Sequence, residues 1–305
     1  SSIITREIPV MTTELPQIRR EDFRLLATDG YPLAASIYHA EQPKAHLLVG
    51  AATGAPRGFY RRFAEYAAQQ GFSTLTLDYR GIGESKPDNL RGFDMHYLDW
   101  ATKDLAAALD YLHRPELPLF MVGHSFGGHA FGLLPGHERV SGLYTFGTGA
   151  GWHGWMPGVE RYRVAFMWKV VAPLIVASKG YLAWARLGMG EDLPKGVYTW
   201  WKRWCSFPRY FFEDPSMAGI DEQFAQVRTP IIAANSLDDL WAQPASREAF
   251  MAGYCNAPYQ ARDIDSQAEG LGTIGHMGYF RGNAQPLWDE ALNWFQQLQG
   301  QAQTA

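Results

Sequence analysis

The segment Leu119-Phe-Met-Val-Gly-His-Ser-Phe-Gly-Gly128 sets one serine between Gly123 and Gly127, at the end of an apolar run. G-x-S-x-G between an apolar strand and a helix start marks a sharp turn that lifts the serine Oγ out of the sheet. Side chains at the flanking positions would crowd such a turn; glycine tolerates both the crowding and the dihedrals. The helix start that follows aims unpaired amides at the carbon Oγ would attack, where negative charge develops. A glycine-rich turn with an incidental serine is the plain alternative, because five-residue patterns recur by chance. Serine is also a weak nucleophile without a base, so Ser125 needs partners.

The histidines downstream are His129, His137, His153 and His276. Only His276 follows the last strand pattern, Tyr259–Ile264, and it lies in the glycine-flanked loop Ile274-Gly-His-Met-Gly278. A nucleophile on a strand-to-helix turn takes its partners in the order serine, acid, histidine. The acid then belongs after the strand Pro230–Asn235, where Ser236-Leu-Asp-Asp239 offers two carboxylates. Its task is to hold the imidazole tautomer and stabilise the imidazolium, for which one carboxylate suffices. Aligned with P-x-x-x-x-x-G-x-x-D, Pro230 takes the proline, Ser236 the glycine and Asp239 the acid. Asp238 then reads as a turn or capping residue, since paired aspartates are ordinarily turn formers, and it stands as the alternative acid.

A tetrahedral intermediate needs N–H donors fixed in advance. One expectation is the amide of Phe126, after the nucleophile; the other lies in the loop Gly50-Ala-Ala-Thr-Gly-Ala-Pro56. Thr53-Gly54 stands where His-Gly is usual, which places the second donor near Ala55, within one or two residues.

The elements that must position these groups alternate. Asp22–Thr28 and Leu33–Tyr38 flank an Asp29-Gly30 turn and read as a hairpin. Ala45–Val49, Phe72–Leu77, Leu117–Val122 and Val140–Phe146 read as strands. Phe59–Gln70 and His96–Leu112 carry apolar residues at helical spacing, with Gly71 able to end the first. After Pro230–Asn235 come a helix Ala245–Tyr254, the strand Tyr259–Ile264 and a closing amphipathic helix Leu287–Leu298. Continuous apolar strands between helices predict an α/β fold with a parallel sheet covered on both faces.

Gly151 to Arg209 breaks the alternation. It has no clear strand and holds Trp152, Trp155, Trp168, Trp184, Trp200, Trp201 and Trp204 of the chain's eleven tryptophans. We expect a helical cap there, inserted between core segments 20–150 and 210–300, with residues 1–19 as an N-terminal extension. The tryptophans either line an apolar acyl or aryl pocket or form the cap's own core.

Composition excludes several classes. Of 305 residues 47% are apolar and 19% charged, enough for a large core and against disorder. A net charge of −4 without a basic run gives no reason to expect a nucleic-acid partner. Cys205 and Cys255 fit a reducing, cytoplasmic setting more simply than a disulfide. The first twenty residues lack the apolar region of a secretory signal. Val164–Ala177 is too short to span a membrane and reads as a buried or interfacial helix. No metal or organic cofactor is expected; the expected partner is a small-molecule substrate.

Asp78-Tyr-Arg-Gly-Ile-Gly-Glu-Ser85, Gly123-His-Ser-Phe-Gly-Gly128 and Gly275-His-Met-Gly278 together resemble the α/β-hydrolase superfamily. More narrowly they are similar to bacterial predicted hydrolases of the serine aminopeptidase and lysophospholipase-like group, from about Arg20 to Gln299. The resemblance implies eight mostly parallel strands with a cap after the sixth. It carries no substrate; the ordered serine, acid and histidine on this strand pattern lead to the first expectation, a serine hydrolase of a carboxylic ester. Amide cleavage or acyl transfer by the same residues is the second, and a non-catalytic ligand-binding protein the third.

Overall fold

The structure is a computed structural model that describes residues 18–304; of the expected N-terminal extension, residues 1–17 lie outside the described residues. Eight strands form one sheet: β1 (Arg19–Leu26), β2 (Pro32–His39), β3 (Ala45–Gly50), β4 (Phe72–Leu77), β5 (Leu119–His124), β6 (Val140–Phe146), β7 (Ile231–Ser236) and β8 (Tyr259–Ile264). Their spatial order is β1-β2-β4-β3-β5-β6-β7-β8. β1 and β2 are the expected hairpin and β2 runs antiparallel to β4; every other pairing is parallel. β4, β5 and β7 are buried along their whole length, as a sheet covered on both faces requires. The edge strand β8 is mostly exposed.

The core helices are α1 (Arg61–Gln69), α2 (Ala106–Leu112), α3 (Phe126–Ala130) and, towards the end of the chain, α7 (Ile220–Ala225), α8 (Pro244–Met251) and α9 (Gln285–Thr304). α1 buries Phe63, Ala64, Ala67 and Ala68, and the left-handed Gly71 (φ +96°) follows its end. Two helices start later than their apolar spacing predicts. Residues Arg57–Tyr60 form a 3₁₀ turn ahead of α1, because the Arg57 amide is drawn to Asp78 Oδ1 at 2.6 Å. Ahead of α2, Trp100–Leu105 is π-helical; there Trp100 Nε1 donates to the Arg80 carbonyl, and Asp104 accepts the Arg80 guanidinium. Such bulges accommodate a side chain with a fixed partner.

Between β6 and β7, residues 151–209 contain α4 (Glu160–Phe166), α5 (Ala172–Lys179) and α6 (Lys195–Trp204), with one isolated bridge, Leu182 to Leu193. A π-helical stretch, Met167–Val171, joins α4 to α5. Val164, Met167, Trp168, Ala172 and Val176 are buried along this helix, and Phe166, Val170 and Leu174 are exposed. Among the described residues no helix is long and apolar enough to cross a membrane.

Candidate active site

Ser125 closes β5 and opens α3 with φ +52° and ψ −106°. Tyr210 is the other described non-glycine residue at positive φ. The backbone is held there by Ser125 N–H to the Phe146 carbonyl (2.9 Å) and by Thr148 Oγ1 donating to the Ser125 carbonyl (2.8 Å). The glycines are required by contact. A Cβ on Gly123 would come within 2.6 Å of the Gly127 carbonyl carbon, and one on Gly127 within 2.2 Å of the Gly50 oxygen.

His276 Nε2 lies 3.1 Å from Ser125 Oγ, and His276 Nδ1 lies 3.0 Å from both Asp239 oxygens. A carboxylate accepts, so Nδ1 carries the proton and Nε2 turns its lone pair to the serine. Asp239 is fully buried. Its Oδ1 accepts the amides of Trp241 and Ala242 at 3.2 Å, and Oδ2 accepts the Tyr279 hydroxyl at 2.7 Å. Burial pulls the His276 pKa down, but the Asp239 charge and hydrogen bond outweigh it and leave it above 6.5. Burial, then the Asp239 charge, push the Tyr279 phenol well above its usual range, so it stays a donor.

Asp238 does not reach the imidazole. Its oxygens accept the amides of Ile274 and Gly275, both at 2.9 Å, along with the hydroxyls of Ser236 and Ser266. The two aspartates thus divide the work: one faces the imidazole, the other ties down the loop that carries it.

A further set of contacts links the two loops beside Ser125. His124 is fully buried, and burial first, then the His276 charge, push its pKa down to about 3. The neutral ring has one donor, and it must be Nε2, which meets the His276 carbonyl at 2.9 Å. Nδ1 then accepts from the Tyr60 hydroxyl (2.9 Å), whose oxygen takes the Ala52 amide (2.8 Å). The direction of every bond in the chain Ala52–Tyr60–His124–His276 is fixed by chemistry. Nothing in the sequence pointed to Tyr60; His124 was visible only as the variable second position of the serine motif.

The loop after β3 departs from expectation. The Ala55 amide, the expected centre of the second donor, donates to the Ala52 carbonyl at 3.2 Å and is engaged inside its own turn. Gly54, read as part of a His-Gly stand-in, is left-handed (φ +83°), and its carbonyl accepts the Glu191 amide at 3.0 Å, docking the loop onto residues 151–209. Ala52, Thr53 and Gly54 all line the cavity over Ser125. The amides of Thr53 and Phe126 have no hydrogen-bond partner among the described residues. The loop is braced by the motif at 78–85: Tyr79 OH donates to the Ala51 carbonyl (2.9 Å), and Asp78 receives the Arg57 guanidinium (2.5 Å).

A cavity of about 460 Å³ opens over Ser125 and His276. Phe59, Trp184, Met189, Trp201 and Trp241 make it apolar, and Arg281 brings one cation. A second void of about 30 Å³ lies beside Ser125 against His129, Cys205 and Tyr210. Of the seven tryptophans in 151–209, Trp184 and Trp201 therefore wall the cavity, while Trp168 and Trp204 are buried in packing. Cys205 is buried, Cys255 exposed, and neither is bonded. Among the described residues no group of three or more His, Cys, Asp or Glu side chains could hold a metal ion.

Residues 41–180 match the model of the serine aminopeptidase S33 family. No curated protein matches the chain significantly in sequence. Solved structures do match in fold. A soluble variant of Saccharomyces cerevisiae monoglyceride lipase, with a substrate analogue, aligns at TM-score 0.63 and 16% identity over 95% of this chain and 98% of that one. A Pyrococcus furiosus esterase aligns at 0.59 and 13% over 97% and 96%. A Thermogutta terrifontis esterase aligns at 0.56 and 16% over 91% and 99%. With this strand order and these relatives in shape, the chain is an α/β-hydrolase by fold, similar over residues 41–180 to the serine aminopeptidases.

Proposed function

We propose that this protein is a serine hydrolase of carboxylic esters. The observation that carries the reading is one continuous line, Asp239 to His276 to Ser125, with contacts of 3.0 and 3.1 Å and the serine on a strained turn. Ser125 Oγ adds to the ester carbonyl as its proton passes to His276 Nε2. Asp239 stabilises the imidazolium, and the amides of Phe126 and Thr53 receive the oxyanion. Collapse expels the alcohol, which takes the proton from His276. Water, deprotonated by the same nitrogen, then releases the acid from Ser125. Residues 151–209 act as the cap, and its tryptophans favour a hydrophobic acyl or aryl group.

The test is Ser125→Ala assayed on a panel of esters, thioesters and amides, with organophosphonate labelling of the parent. Loss of both activity and labelling is expected. Turnover that survives in the variant would refute the mechanism, and faster amide than ester cleavage would reassign the substrate class. A preference for short acetyl esters over all longer or aromatic ones would refute the acyl preference.

A further inference from the structure

Arg281 joins the cavity over Ser125 to a second one. It lines both the 460 Å³ cavity and a neighbouring hollow of about 220 Å³, and Phe59 is the other shared wall. The smaller hollow is framed by Arg61, Arg62 and Arg281. No aspartate or glutamate lines either space. Arg61 stands 3.7 Å from Glu65, a loose contact between two exposed groups. Arg62 and Arg281 form no ion pair among the described residues, although the chain as a whole carries a net charge of −4. The Arg62 guanidinium reaches the backbone next to Arg281 in the chain, since a Cβ on Gly282 would be 3.4 Å from Arg62 Nη1. Arginines bordering spaces that no carboxylate lines leave N–H donors for an oxyacid dianion or carboxylate, which guanidinium groups bind with paired N–H···O bonds.

We propose that the substrate carries an anionic oxygen-acid group, a carboxylate or a phosphate, at the end remote from the ester carbonyl. Arg281 binds that group at the rim of the cavity, and Arg62 supports it from the adjoining hollow. The ester itself lies along the apolar walls, its carbonyl over Ser125. This rests on the reading of Ser125 as nucleophile, but its test is separable from it.

Trp184, Trp201 and Trp241 line the cavity and report occupancy. Tryptophan fluorescence of the Ser125→Ala protein is titrated with phenylacetate, phenyl phosphate and neutral 2-phenylethanol. The expected result is a Kd at least tenfold lower for one or both anions, weakened by 0.5 M salt, with phenylacetate against phenyl phosphate deciding between carboxylate and phosphate. Arg281→Gln in the same background should remove the difference, and Arg281→Lys should retain part of it. On the parent enzyme, kcat/KM for an ω-carboxylated aryl ester relative to its neutral analogue should fall at least tenfold on Arg281→Gln, through KM. Equal affinity for anions and alcohol, or a preference unchanged in Arg281→Gln, would overturn the proposal. An inert Ser125 with anion-selective binding intact would instead overturn the hydrolase reading and leave the anion site standing.

Discussion

The ring of His124 donates from Nε2 to the main-chain carbonyl of His276 across 2.9 Å, although the two residues stand 152 positions apart in the chain. The same ring is anchored on its other side by Tyr60, which also holds the Ala52 amide. One buried side chain therefore fixes the distance between the loop that presents the imidazole and the loop that presents Thr53.

Tyr60→Phe removes the hydroxyl and leaves the Ala52 amide and His124 Nδ1 without partners. The cost is about 1–3 kcal/mol per stranded buried group, read as a lower midpoint of thermal unfolding. At temperatures where the variant is fully folded, kcat should fall about tenfold with KM nearly unchanged, as a loss of positioning at the reacting atoms requires. A variant that loses stability but keeps the parental kcat would show that Tyr60 serves folding alone.

The two aspartates should separate cleanly. Asp239→Asn keeps the shape but favours the wrong imidazole tautomer, and kcat should drop by about 10⁴. Asp238→Asn loosens the amides of Ile274 and Gly275 and should cost about tenfold in kcat together with some thermal stability. Steady-state kinetics on both variants check this; the reverse ranking would make Asp238 the acid.

Activity should follow the protonation of His276. The base must be neutral, and its pKa is raised above 6.5 by Asp239 against the pull of burial. The acid limb of kcat/KM therefore falls tenfold per pH unit below a midpoint that lies above 6.5. In Asp239→Asn the raising charge is gone, so the midpoint moves to lower pH while the plateau collapses. A pH profile of the parent with its midpoint well below 6.5 would contradict the assignment.

Ser125→Gly should be inactive and more stable than the parent. Glycine accepts φ +52°, ψ −106° without a Cβ clash, relieving strain on the order of 1–3 kcal/mol. Denaturant unfolding of the two proteins measures the gain. Equal stability would mean the turn is relaxed and the serine is not held under strain.

Much of this arrangement was legible in the sequence because it is local. β4, β6 and β8 begin and end at the residues expected of them. Ser125, Asp239 and His276 were readable because each follows a strand end in the order the fold demands. What escaped depends on partners remote in the chain. The delayed starts of α1 and α2 answer to Asp78 and Arg80. Ala55 was chosen by counting from a glycine, but its amide is engaged by Ala52 and the Gly54 carbonyl by Glu191, while the Thr53 amide stays unpaired among the described residues. Tyr279 and Tyr60 are buried phenols whose roles appear only when their hydroxyls find Asp239 and His124.

The bare contact of Gly127 against Gly50 has a last consequence. The helix start bearing Phe126 and the strand end leading to Thr53 meet main chain on main chain, with no rotamer between them to adjust. Their separation is set by peptide thickness, a gauge that neither substrate nor temperature can reset. Adaptation to molecules of different shape must then fall to the tryptophan-rich roof, and a change of specificity should be sought there and not at the floor.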